Sequence, residues 1–260
     1  MRICIAGATG WTGQALVEAV LAASDLELGT CVSRSAAGGE IGGAPVYATV
    51  AEALDGIDVL VDYTSVEIVK ANALTAIGHG ASVVIGTSGL TADDFVDIDR
   101  AAMARGVGVV AAGNFSITAA MAQAAALLVS RHLPSWEVID YASASKPDVP
   151  SGTARELAER LGEVRAPELA VPVADLHGPR EARGTSIGGA QVHSVRLPSF
   201  VVSTEVVFGL PDERLTIRHD AGGSPEPYVA GTLLAVRRVP AIVGLVRGLD
   251  TLLLLGSGQR

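Results

Sequence analysis

The chain has 260 residues, enough for one large domain or two modest ones, and its composition of 49% apolar and 18% charged residues excludes a disordered polymer. A net charge of -9 excludes a nucleic-acid partner, which needs clustered Lys and Arg, but leaves room for a local basic pocket that takes a small anion. Cys4 and Cys31 each fall inside an apolar run and read as buried free thiols of a reducing compartment.

Along the chain, residues 2–6 form a short apolar run that stops at Gly7-Ala8-Thr9-Gly10-Trp11-Thr12-Gly13. A helical pattern follows to residue 23, and a second apolar run covers 26–32, so the opening reads as a βαβ unit. Residues 58–62, 82–85 and 108–112 predict further buried strands, with helices over 66–77 and 91–104. Thr91 is placed to cap the second of these helices, above Asp93 and Asp94. This alternation predicts an α/β chain that opens with a Rossmann-type, doubly wound parallel sheet.

After Gly113-Asn114-Phe115-Ser116 the rhythm changes. A helix over 117–129 and a strand over 137–141 are followed by a polar stretch, 142–150, and a helix over 152–161. The helix over 117–129 is interrupted by Gln123 and is too short to span a bilayer. Pro and Gly thicken between 167 and 189. Strands then read over 190–196, 201–208 and 214–219, the last two joined at Leu210-Pro211-Asp212-Glu213. Strands without intervening helices predict a mainly antiparallel sheet in a second, α+β mixed-sheet domain. A helix over 228–238 and the stretch 241–254 read as a return to the first domain. Residues 1–3 enter a strand at once, with no basic region ahead of an apolar core, so no signal peptide is read and a soluble, cytoplasmic protein is expected.

The glycine turn carries the strongest local chemistry. Gly7, Gly10 and Gly13 follow the first strand and open a helix, where glycine lets the backbone approach a pyrophosphate and the helix offers free N–H groups. A tight βα turn alone would use the same residues, but this position favours dinucleotide binding. The second strand ends in Ser33-Arg34 rather than an acidic residue, which favours the 2′-phosphate of NADPH and leaves NADH open; otherwise Arg34 is a solvated loop residue. Tyr63-Thr64 and Gly86-Thr87-Ser88 fall at later strand ends, where such a cofactor lies. Trp11 either covers the cofactor or packs on its helix.

Ser151, Gly152 and Thr153 at a helix start gather hydroxyl and N–H groups into a cradle for a carboxylate, with Lys146 near in sequence as a cation or proton donor. The bland alternative is an N-cap with a solvated lysine. In order and spacing, the Gly7 turn, Gly86-Thr87-Ser88-Gly89, Gly113-Asn114-Phe115-Ser116 and Lys146-Pro147-Asp148-Val149-Pro150-Ser151-Gly152-Thr153 resemble the dihydrodipicolinate reductase family of bacterial lysine biosynthesis. The resemblance covers nearly the whole chain, including Gly184-Thr185-Ser186-Ile187-Gly188. It implies an NADPH-dependent reductase of a carboxylate-bearing cyclic imine, built as a homotetramer, with no membrane partner. Residues 1–116 and 227–260 would bind the dinucleotide, and 117–226 would bind substrate and oligomerise. Gly7 through Thr12, Arg34, Gly86 through Ser88, Ala112, Gly113, Asn114 and Phe115 would line the cofactor. Lys146 would be the catalytic lysine, and Gly152 and Thr153 would hold a substrate carboxylate.

The family pattern places two adjacent histidines three and four residues before the lysine, one exchanging a proton and the other helping to bind substrate. Those positions are Ala142 and Ser143 here, and Ser143 stays a substrate-binding candidate. A histidine acid typically contributes ~10²–10⁴-fold. Three readings are open: the usual reaction with Lys146 or water as the proton source, a related reductase of another cyclic imine, or a nucleotide-binding protein without reductase chemistry. His177, His193 and His219 are stand-in candidates, Asp220 being expected to raise the pKa of His219, although a sheet-edge histidine satisfied by backbone is the commoner fate. His79 and His132 read as surface residues at helix ends. No His/Cys/Asp/Glu spacing predicts a metal, and no G-x-S-x-G elbow predicts a serine nucleophile.

Overall fold

Runs that are apolar on both faces make strands buried on both faces, and such runs build the first part of the chain. The computed structural model describes residues 1–255. β1 (Arg2–Ala6), α1 (Trp11–Ala22) and β2 (Glu27–Val32) form the opening βαβ unit. A short hairpin of β3 (Glu40–Ile41) and β4 (Ala44–Tyr47) leads through one turn of helix, α2 (Val50–Ala53), into β5 (Val59–Asp62). Then come α3 (Val66–His79), β6 (Ser82–Ile85), α4 (Ala92–Arg105) and β7 (Gly108–Ala111). Both long helices stop where glycine turns left-handed, Gly80 at φ 85° and Gly106 at φ 73°, and α4 opens on a capping box between Thr91 and Asp94.

α5 (Ile117–Ser130), β8 (Ser135–Ala142) and α6 (Gly152–Val164) follow. The Pro- and Gly-rich stretch holds two short 3₁₀ turns and β9 (Thr185–Ile187), ahead of β10 (Ala190–Arg196), β11 (Val202–Leu210) and β12 (Glu213–Ala221). α7 (Glu226–Arg238), β13 (Gly244–Arg247) and α8 (Leu249–Leu255) complete the described chain. Two compact units result: Met1–Ile117 with the chain from Pro225 onward, and Thr118–Ser224. Residues 256–260 of the expected first-domain segment lie outside the described residues.

In the first unit the strand order is β13-β7-β6-β5-β1-β2-β4-β3, all parallel except the β3–β4 hairpin. The chain winds outward from β1 in one direction and from β5 in the other, so the topological switch point falls between β1 and β5. The core fills from Cys4, Leu60, Val83 and Val109 in the strands and from Val69, Ala73, Ile98 and Ala102 in α3 and α4. In the second unit the order is β12-β11-β8-β10-β9. β8 and β10 run parallel and the remaining pairs antiparallel, which makes the sheet mixed. Inward positions of β8 alternate as Trp136, Val138, Asp140 and Ala142. Trp136 and Val138 pack with Phe208 and, from α6, Leu157 and Leu161.

Three local expectations change. The stretch around Gly184-Thr185-Ser186-Ile187-Gly188 holds a strand, because β9 pairs with β10 around Gly188 and Gly189, both left-handed at φ 58° and 85°. β8 outgrows the predicted 137–141 because both its edges are paired. The stretch 241–254 divides into a short strand and a helix, β13 joining the sheet beside β7.

Candidate active site

β1 delivers Gly7 into a left-handed conformation, φ 84°, that side chains resist. A Cβ on Gly7 would stand 2.3 Å from the Tyr63 carbonyl oxygen, and one on Gly13 would stand 2.0 Å from that of Gly7. The turn is therefore closed by backbone packed on backbone. Gly10 caps α1 with no side chain, so the first N–H groups of the helix are left to an anion at the positive end of the dipole. Ala8 is buried and Thr12 half-buried. Trp11 sets its ring against Tyr228 at 5.9 Å and keeps half of its surface exposed.

A cleft of about 550 Å³ opens over this turn. Gly7, Thr9 and Gly10 line it together with Ser33 and Arg34 after β2 and Tyr63 and Thr64 after β5. The Thr9 and Ser33 hydroxyls meet at 2.8 Å, while Arg34 is exposed. Thr49, Ser65 and Asn72 also line the cleft, and only their places in the turn before α2 and at α3 bring them there. Ala8, Trp11, Thr12, Gly13, Gly86, Thr87, Ser88, Ala112, Gly113, Asn114 and Phe115 do not line it. Phe115 is 1% exposed, its ring 6.2 Å from that of Tyr63, so the ring is a core group that supports Tyr63. Gly86 lies against Tyr63, where a Cβ would be 2.2 Å from the ring. The Tyr63 hydroxyl meets Thr232 Oγ1 at 2.7 Å, and burial pushes this phenol up, so it stays neutral. A glycine turn with no room for Cβ atoms, an uncapped helix start and a cleft above them fit a bound dinucleotide.

The second unit carries the other chemistry on one loop. Ser151 caps α6, its Oγ accepting from Ala154 N at 3.3 Å, and Thr153 is buried in the first turn. Lys146 Nζ pairs with Asp148 Oδ1 at 2.9 Å, and the Lys146 N–H donates to Ser143 O at 3.0 Å. Ala142 is 0% exposed, and the Ser143 hydroxyl meets that of Ser145 at 3.0 Å.

Sequence reasoning missed what holds this loop. Asp140 is fully buried in β8, and its Oδ2 accepts from Ser151 N at 2.9 Å, Ser194 Oγ at 3.1 Å and Arg196 Nη2 at 2.8 Å. Arg196 also donates to the Asp148 carbonyl at 2.7 Å, so one guanidinium ties both ends of the loop. The signal was a carboxylate at an inward position of an alternating strand, which is costly without a partner.

His193 and His219 lie in β10 and β12, the strands read for them, but they are held differently than expected. The His219 pKa is lowered, because burial outweighs Asp220. Asp220 itself is engaged by Arg218 at 2.9 Å, and His219 Nε2 meets Thr118 Oγ1 at 3.0 Å. His193 is satisfied by a carboxylate rather than backbone, its Nε2 lying 2.7 Å from Glu137, which Arg183 also engages. His177 lies exposed between the two 3₁₀ turns, in no strand. Among the described residues no helix is long and apolar enough to cross a membrane, and no three His, Cys, Asp or Glu side chains gather as a metal would need.

Two family models match the sequence in succession, dihydrodipicolinate reductase N-terminus over residues 1–115 and C-terminus over residues 114–253. The 4-hydroxy-tetrahydrodipicolinate reductase of Moorella thermoacetica is 35% identical over 264 residues, covering 97% of this chain and 98% of that protein. The enzyme of the same name from Synechococcus elongatus is 33% identical over 270 residues, covering 96% and 98%. Among solved structures, a dipicolinate-bound dihydrodipicolinate reductase from a Paenisporosarcina species is similar with a TM-score of 0.77 and 27% identity, covering 96% of this chain and 98% of that one. The resemblance read from the glycine turn and the Lys146 loop thus extends over the whole matched length, and the chain belongs to the dihydrodipicolinate reductase family of NAD(P)H-dependent oxidoreductases.

Proposed function

We propose that the chain is an NADPH-dependent 4-hydroxy-tetrahydrodipicolinate reductase, working in the cytoplasm as a homotetramer. The observation that carries this reading is one chain holding both a glycine turn closed to side chains and a strapped loop presenting Lys146, Ser151, Gly152 and Thr153. NADPH, bound over the glycine turn, supplies a hydride. The chain supplies the rest. The Ser151-Gly152-Thr153 start of α6 receives a substrate carboxylate at its positive end. Lys146, with a partly exposed ammonium held by Asp148, delivers the proton or stabilises developing charge. Ala142 has no proton to give, so that task falls to Lys146 or water. A different imine substrate and a non-catalytic role are not favoured, since the relatives carry the reductase name.

The direct test is NADPH oxidation with freshly generated 4-hydroxy-tetrahydrodipicolinate. Rapid turnover supports the reading; absence of turnover by a sample that binds NADPH overturns it. The nucleotide preference rests on Arg34 in the cleft wall and the lack of an acid after β2. Arg34→Asp is expected to weaken NADPH by roughly tenfold or more and to leave NADH within about threefold, as loss of one charge-assisted phosphate contact implies. Titration with each nucleotide measures this, and equal losses for both would remove the phosphate contact from the argument. The tetramer is checked by light scattering on the eluting protein, where a monomer mass refutes it.

A further inference from the structure

The reaction above makes no use of Asp62, the last residue of β5, whose side chain is 0% exposed. Its Oδ1 accepts from the Thr64 N–H at 2.9 Å, from Thr64 Oγ1 at 2.6 Å and from Thr87 Oγ1 at 2.9 Å. Its Oδ2 accepts from Asn72 Nδ2 at 2.8 Å. A carboxylate buried this far is costly unless its lone pairs are used, and four donors on two oxygens use them. At 0% exposed, with donors from the chain on both oxygens, Asp62 is closed off from a ligand hydroxyl and acts only through the groups bonded to it.

The donors come from three segments: the turn after β5, the helix α3 and the turn after β6. Both turns are irregular backbone, and strand pairing sets them side by side, with Asp62 opposite Ile85. Thr64 and Asn72 line the cleft over the glycine turn, and Thr87 lies one residue beyond the glycine packed on Tyr63. The strand ends at a switch point are where a doubly wound sheet receives its ligand. Thr64 and Thr87 spend their hydroxyl protons on one buried oxygen, which fixes the turns before any ligand arrives.

We propose that Asp62 is a positioning residue for the dinucleotide, its carboxylate presetting the Tyr63-Thr64 and Gly86-Thr87-Ser88 turns without touching the ligand. This rests on the NAD(P)H reading of the cleft. The closest variant is Asp62→Asn, which keeps the shape but replaces one acceptor oxygen with a donor facing other donors. NADPH titrated into the substrate-free protein, followed by nucleotide fluorescence well below the Tm, is expected to show Kd raised about tenfold or more. KM for NADPH rises in step, while kcat at saturating NADPH stays within about threefold, the pattern of lost binding rather than lost chemistry.

Thr87→Val removes one strut and is expected to weaken NADPH in the same direction, whereas Thr87→Ser restores the hydroxyl and the affinity. Combining Asp62→Asn with Thr87→Val should cost less than the sum of the two single changes, because the threonine acts through the side chain at 62. A folded Asp62→Asn protein with wild-type Kd overturns the proposal, as does full additivity of the two changes. If Asp62→Asn does not fold, the Thr87 pair decides: wild-type affinity in Thr87→Val overturns the proposal, and loss rescued by serine sustains it. A wild-type chain that binds neither NADPH nor NADH overturns the cofactor reading itself, and is told apart because no variant is needed to see it.

Discussion

Lys146→Ala is expected to cut kcat by about 10²–10⁴-fold, the range of a lost positioned proton donor, while the Kd for NADPH stays unchanged. The fold should survive the change. Removing the ammonium leaves Asp148 Oδ1 without its ion-pair partner, but both side chains lie on a partly exposed loop, 29% and 33% exposed, outside the buried core. NADPH affinity is preserved because the glycine turn and its cleft are built by the first unit alone. Lys146→Arg separates the two roles open to this residue. An arginine keeps the charge but does not release a proton near neutral pH, so low turnover in both variants identifies proton delivery. Steady-state rates at saturating NADPH are the measurement, and wild-type turnover of Lys146→Ala would sink the assignment.

Arg196→Leu is expected to destabilise the protein by about 3–5 kcal/mol, because it strands a buried carboxylate. Asp140 is 0% exposed, and Arg196 is the cation bonded to it. Urea unfolding midpoints at constant slope measure the loss. Adding Asp140→Asn to Arg196→Leu should return most of that stability, since the amide needs no counter-charge and its oxygen still accepts from Ser151 N. Turnover should not return with it. The guanidinium also holds the Asp148 carbonyl, so the double variant folds with the Lys146 loop still tied at Ser151 but released at Asp148. Recovery of both stability and turnover would show that the strap has no role beyond neutralising Asp140.

The parts of this molecule that sequence exposes are those whose physics is local. Gly7, Gly10 and Gly13 announce a closed turn because a turn between strand and helix needs them within a few residues. Thr91 marks the start of α4 through a capping box with Asp94, three residues away. The Lys146 loop is legible by its resemblance to a family motif. Asp62, Asp140 and Arg196 are illegible for the opposite reason. Asp140 becomes a tie only when β10, 50 residues on, lies parallel to β8 and sets Ser194 opposite it. Asp62 needs Thr87 from the neighbouring strand end, and nothing near it in the sequence announces that partner. The hairpin of β3 and β4 escapes notice because its strands are too short for any period to show. His219 misleads because adjacency to Asp220 is visible in sequence, while the burial that outweighs it is not.

The strand order of the first unit has a consequence for how the protein is made. β13 pairs with β7, yet it is reached only at residues 244–247, after the whole second unit. At ribosomal rates of about 5–20 residues per second, the edge of β7 stays bare for on the order of ten seconds after it emerges. Gly108 then lacks the Val239 and Ile242 backbone it packs against, and the Tyr63 hydroxyl lacks Thr232. The inserted unit has all five strands of its sheet by residue 221 and can close before its host does. The Rossmann-type unit is thus the first to be translated and the last to be sealed.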